Sequence, residues 1–256
     1  MTLATIPRGM LLAVTDDLLT FARCRLAKAA LPAGIAARDA LVEAFADDLA
    51  AYFEAMGKRV LGTVSKALEI GWDPTDDVDW TVEDAELRKV LARWYTTLGE
   101  TAFAGVADQL AVELRFDLNA RPVAAVLDRI GVQVQGITEA SRETLAGYVG
   151  RAIDEGLSIE ALVSELSEVF TTWSTGRAQT IALTETATAY NLASAAGYAE
   201  SGLVDEVEIF DGPDCGWDGH DDPDLADGSI RTLEEFADMP TSHPNCQRAA
   251  GPVVVR

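Results

Sequence analysis

Between Ile35 and Ile70 the large apolar side chains recur three or four residues apart: Leu41, Phe45, Leu49, Phe53, Met56 and Val60. That spacing follows the 3.6-residue turn of an α-helix and paints one face of it apolar. The same period returns after Thr81, through Val82, Leu87, Val90, Leu91, Trp94, Leu98, Phe103, Val106 and Leu110. Thr81 is the residue type that caps a helix N-terminus. Between the two stripes stands "GWDPTDDVDWT", whose Gly, Pro and acidic residues interrupt the pattern and suggest a hinge at 71–81. A shorter stripe from Arg8 to about Leu31 (Leu11, Leu12, Leu18, Leu19, Phe21, Leu26) fits a further helix, closed by "LPAG". Cys24 falls on its apolar face and reads as a core residue.

Downstream the segments shorten. Pro122 suits the first turn of a helix ending near Gly131, and "VQVQG" reads as a brief extended piece. Thr138 is placed to cap a helix to about Glu155, and Ser158 another through Phe170. A last long helix spans about Thr175 to Ser201, with Gly202 positioned to end it. Beyond Gly202, "LVDEVEIF" is strand-like, Asp211 to Gly228 is a Gly/Pro/Asp-rich loop, "RTLEEFADM" fits a short helix, and "CQRAAGPVVV" ends extended. The expected fold is mainly α: long amphipathic helices followed by a small β-containing (α+β) C-terminal module. The expected division is a helical region at 1–137 and a C-terminal domain at 138–256, with a Cys/His loop module at 203–256.

A net charge of −22 narrows the functions open to such a chain. A surface of that sign repels phosphates and anionic headgroups, and the largest basic cluster is "RCRLAK", Arg23 to Lys28. Sequence-specific nucleic acid and membrane are therefore not expected partners. The apolar run Met10 to Val14 is too short for a membrane span or a signal core. Three cysteines without a signal segment point to a reducing compartment.

His and Cys are scarce, yet Cys215, His220, His243 and Cys246 fall within 32 residues. The spacing C-x4-H-x22-H-x2-C gives two close pairs joined by a linker, a pattern that suits a tetrahedral structural zinc site. A loop-rich segment with little core would gain stability from such a crosslink. Asp211, Asp214, Asp218 and Asp221 around the first pair favour a cation. Two alternatives stay open: the cysteines pack as small apolar groups beside locally hydrogen-bonded histidines, or they form a disulfide. "DGPDCGWDGHDDPD" lacks the register of a calcium loop and reads as a solvated acidic loop. H-E-x-x-H, G-x-S-x-G, Walker and G-x-G-x-x-G motifs are all absent from the chain. Glu185 and Asn191 interrupt an Ala-rich helix on different faces. Either both are solvated there, or one of them hydrogen-bonds the backbone of the "HPNC" loop and anchors the tail.

The order of these pieces carries a resemblance. "RAQTIALTETATAYNLASAAGYAESG", then "VEIFDGPDC", then a Gly-containing loop and "SHPNCQR" resemble the phage Mu F-like minor head proteins of the SPP1 head-morphogenesis family. The branch found in actinobacterial phages is the most similar. The resemblance covers about Glu155 to Arg256, and the matching positions are Thr184, Glu185, Asn191, Cys215, His243, Pro244, Asn245 and Cys246. Two positions depart from the pattern: Leu183 stands where the helix usually has Arg, and Gln247–Arg248 stand where many members have Arg–Cys. The resemblance implies a non-enzymatic virion protein in few copies, inside the head near the portal, present in the host cytoplasm during assembly. Its implied partners are the portal protein and other capsid or scaffold proteins, and in some phages it affects DNA entry or exit. The competing readings are a metal-dependent hydrolase using His220, His243 and the Asp211–Asp224 loop, and a generic helical adaptor.

Overall fold

In the computed structural model, which describes residues 32, 34–68, 78–117, 121–211 and 223–253, the two long apolar stripes are helices laid against each other. A short α1 (Ile35–Asp39) leads into α2 (Val42–Leu68), and α3 covers Trp80–Leu110. Phe45, Leu49, Phe53, Met56 and Val60 of α2 are buried, as are Leu87, Leu91, Tyr95, Leu98 and Phe103 of α3. The Phe45 and Trp94 rings stack at 5.1 Å and tie the two helices together. The expected cap of α3 shifts by two residues. Asp79 is the N-cap, and its carboxylate accepts from the Thr81 and Val82 amides, so Thr81 lies inside the first turn. The proposed helix at 8–31 and most of the 71–81 hinge lie outside the described residues.

The expectation of a break near Gly131, an extended "VQVQG" and a new helix at Thr138 is corrected. All of it is one 35-residue helix, α4 (Arg121–Glu155). Val126, Ile130, Val134, Ile137, Leu145, Val149 and Ala152 are buried at helical spacing straight through the supposed strand. Burial of that stripe outweighs the roughly 1 kcal/mol that a glycine costs inside a helix. Thr138 is interior: its hydroxyl donates back to the Val134 carbonyl at 2.8 Å. The division drawn at 137/138 therefore falls in the middle of α4.

A second expected break, between Phe170 and Thr175, is replaced by a π turn. Ser158 caps α5 (Ile159–Thr172) as expected, and Trp173–Arg177 then join it to α6 (Ala178–Ser201) without interruption. The wider turn admits one extra residue and re-aims the helix beyond it. Trp173 packs on Phe170 and Phe53, and the Arg177 guanidinium lies 4.6 Å over the Trp173 ring while donating to the Ile137 carbonyl.

Helix α6 is the centre of the molecule. It packs against α2, α3, α4 and the tail, and every residue from Glu185 to Tyr198 is buried. A helix surrounded on all sides needs small residues, which explains its alanines. Gly202, at φ 64°, ends it. The chain then forms β1 (Glu206–Phe210), β2 (Ile230–Thr232), α7 (Leu233–Asp238) and β3 (Ala249–Val253). The antiparallel sheet has the order β2-β1-β3, with Val207 opposite Arg231 on one side and Pro252 on the other. Val207 and Ile209 join Tyr198, Val106, Phe236 and Ala250 in a second apolar cluster. The fold is thus mainly α with a small β module, and that module is packed onto α6 and α3.

Candidate functional site: the junction of helix α6 with the C-terminal tail

Thr184, Thr188 and Asn191 stand at helical positions i, i+4 and i+7, so they share one face of α6. The tail lies along that face. The Asn191 amide donates to two backbone carbonyls, Pro240 at 2.7 Å and Arg248 at 2.9 Å. These flank the "HPNC" segment, so Asn191 is the anchor of the two residues considered. Thr188 and Thr241 share a hydroxyl–hydroxyl bond of 3.0 Å, and the Thr184 hydroxyl accepts from the Asn245 amide at 2.9 Å.

"HPNC" itself is a turn. The Cys246 amide donates to the His243 carbonyl at 3.1 Å, Pro244 occupies the first central position, and Asn245 has φ 64°. Proline followed by a left-handed residue is the chemistry of a type II turn, and asparagine tolerates that backbone better than most side chains. The turn presents the Asn245 amide to Thr184. His243 Nδ1 lies 2.8 Å from the Pro244 carbonyl, which can only accept, so this nitrogen donates.

Two residues past the turn, the Arg248 side chain is fully buried. Its Nε and Nη2 clasp the two oxygens of Asp211 at 2.8 and 2.7 Å, and Nη1 reaches Asp224 Oδ2 at 2.8 Å. Nη1 and Nη2 also donate to the carbonyls of Met239 and Asp224. All five N–H groups are used, which a planar guanidinium fork allows and an ammonium does not. Asp224 in turn accepts from Arg231 at 2.6 Å, so two arginines face two aspartates. Arg231 and then Arg248 hold the Asp224 carboxyl below its usual range. Burial works against the Arg248 charge, but the bonds and charges of Asp211 and Asp224 outweigh it and raise its pKa.

Arg38 approaches from α1. Its Nη1 donates to the same Arg248 carbonyl that Asn191 holds, at 3.0 Å. Gly34 permits close seating of the segment before α1: a Cβ there would stand 2.3 Å from the Tyr190 hydroxyl. Arg38 and Leu183 together line a cavity of about 290 Å³ with Thr186 and Cys246.

Glu185 points the other way. It is 3% exposed and accepts from the Tyr95 hydroxyl of α3, and burial pushes its carboxyl up to about 7, against the pull of Tyr95 and Arg129.

Of the four expected zinc ligands, Cys215 and His220 lie outside the described residues. His243 and Cys246 are buried at the two ends of the turn. Cys246 Sγ lies 3.6 Å from the Ser242 hydroxyl and 3.8 Å from Asp211 Oδ1. Asp211 is committed to Arg248, so the donors here that suit zinc are Cys246 Sγ and, with Nδ1 protonated, His243 Nε2. Among the described residues no group of three or more His, Cys, Asp or Glu is placed to hold a metal ion. Nor is any helix among them long and apolar enough to cross a membrane.

Sequence reasoning missed Arg248 and Arg38 as members of the junction, and the convergence of Asp211 and Asp224 on one guanidinium. No protein family, curated protein or solved structure matches the chain.

Proposed function

We propose that this chain is a minor capsid protein of a phage head, associated with the portal and supporting head assembly. The observation that supports the reading is the junction itself. Thr184, Asn191 and Asn245, positions that carry the resemblance, hold the tail onto the central helix through neutral hydrogen bonds. Such a role suits a structural module and gives the motif a reason to exist without catalysis. A hydrolase built on His220, His243 and the Asp211–Asp224 loop has less to draw on, because the Asp211 and Asp224 carboxylates are bound to arginines. Localisation inside the head near the portal, with a cytoplasmic stage in the host during assembly, belongs to the same proposal.

The test sets protein association against nucleic acid association. Co-expression with the portal protein of the same phage should give a complex that survives purification, while gel shift at physiological salt should show no DNA binding. A surface with a net charge of −22 gives DNA no counterions to release on binding. Salt-sensitive DNA binding without portal association would overturn the proposal.

A structural zinc held by Cys215, His220, His243 and Cys246 forms part of this reading. Protein purified without chelator should then carry about one zinc per chain by elemental analysis, and chelation should loosen the tail first. Metal-free protein with an intact tail would remove the zinc and leave the capsid role standing.

A further inference from the structure

We propose that Glu185 is a proton-operated latch between α6 and α3: proton uptake tightens the helix seam beneath the tail, and proton loss loosens it. The geometry carries the argument. Glu185 stands on the central helix, 3% exposed, and Oε2 accepts from the hydroxyl of Tyr95, itself 1% exposed, at 2.5 Å. Two titratable groups act on it from the packed elements, Tyr95 from α3 and Arg129 from α4. Arg129 acts through its field; its Nε and Nη2 meet the Gln133 side-chain oxygen at 3.0 Å once that amide is oriented to accept. A carboxylate in such a place has exchanged water for one neutral donor and the field of one cation, and burial disfavours its charged form. The neighbouring Thr184 holds the Asn245 amide, so the latch is consecutive with one of the residues that hold the tail.

Linkage gives the direction of the effect. Burial raises the Glu185 carboxyl from 4.5 to about 7 in the folded chain. Between those values the folded state holds a proton that the unfolded state has released, so stability falls as pH rises through the window and levels off above it. Every pH unit between the unfolded and folded pKa values is worth tenfold in proton affinity, so the unfolding constant should rise on the order of a hundredfold across the window from this group alone. Asp79, Glu86, Asp224 and Glu235 have lowered pKa values and titrate below the window.

Equilibrium denaturation of the full chain and of Glu185→Gln, from pH 5 to pH 8, tests this. Glutamine keeps the shape and can accept from Tyr95, but it cannot ionise. The two stability profiles should converge at pH 5 and separate as pH rises, with the variant more resistant at pH 8. Hydrogen exchange in residues 240–250, compared between the two chains at each pH, should diverge in the same window. Parallel profiles would overturn the proposal. Should the variant fail to fold, ¹³C NMR titration of the wild-type side-chain carboxyls decides: a midpoint near 7 supports the latch, and one near 4.5 for Glu185 overturns it.

Discussion

Replacing Arg248 with methionine should release the C-terminal tail and cost about 3–5 kcal/mol, the range expected when one member of a buried ion pair is removed. Methionine fills much of the volume, so the loss would come from charge rather than from a cavity. Asp211 is 8% exposed and would keep its carboxylate with the guanidinium gone. Asp224 would retain Arg231, which makes Asp211 the greater source of the loss. Arg248→Lys should rescue little. An ammonium cannot clasp Asp211 with two parallel bonds and reach Asp224 and the Met239 carbonyl as well.

The pH dependence separates this account from simple misfolding. In the wild type, Asp224 has a lowered pKa, so its contribution is present above the ordinary carboxylate value and is lost as acid protonates it. In Arg248→Met the abandoned Asp211 should have a raised pKa instead, and mild acid should then restore part of the lost stability. Urea denaturation at pH 7 and pH 5 checks the recovery in the variant, and carrying the wild type on below the ordinary carboxylate value checks the Asp224 loss. Limited proteolysis should locate the damage in residues 205–253 while the α2–α3 pair stays protected. A variant that lost stability equally at both pH values would sink the ion-pair explanation.

The helical body is legible in the sequence because its signal is local. The α2 and α3 stripes repeat every three or four residues, and most of the side chains that make them are buried. The same rule joins Val126, Ile130, Val134 and Ile137 across "VQVQG". There the β-branched residues point toward a strand and two glycines against a continuous helix, and tertiary burial overrides both. The α3 cap is displaced for a similar reason: Asp79 and Thr81 are both capping residues, and only the backbone path chooses between them.

The junction is less legible because its partners are far apart in the chain. Tyr95 and Glu185 are separated by 90 residues, Arg38 and Arg248 by 210. A single arginine in a polar stretch reads as solvated, and nothing nearby reveals that Asp211 and Asp224 converge on it. Asn191 is half visible: a polar residue amid alanines stands out, but the sequence leaves solvation and anchoring open and does not separate it from Glu185. The burial of the whole helix decides it, because a buried amide has to find hydrogen-bond partners elsewhere.

That amide supplies the sharpest test of the junction. Asn191→Ala should cost roughly 2–3 kcal/mol, because the Pro240 and Arg248 carbonyls lose a donor inside the protein. Arg38 still donates to the Arg248 carbonyl, which limits the damage on that side. Asn191→Asp changes the side-chain volume very little, yet it should do more harm at neutral pH. Its carboxylate would bring acceptor oxygens within about 3 Å of two carbonyl oxygens, with a buried charge in place of two donated protons. The expected cost exceeds that of alanine, roughly 3 kcal/mol or more. Burial and those carbonyls should raise the pKa of the new acid. Protonation on lowering the pH to 5 gives it one O–H donor for one carbonyl, so its deficit against wild type should narrow, whereas the alanine deficit should not. Denaturation of the three chains at both pH values, with hydrogen exchange read over residues 240–250, measures this order. An Asn191→Asp chain as stable as wild type at pH 7 would mean that the amide is not what holds the tail to α6.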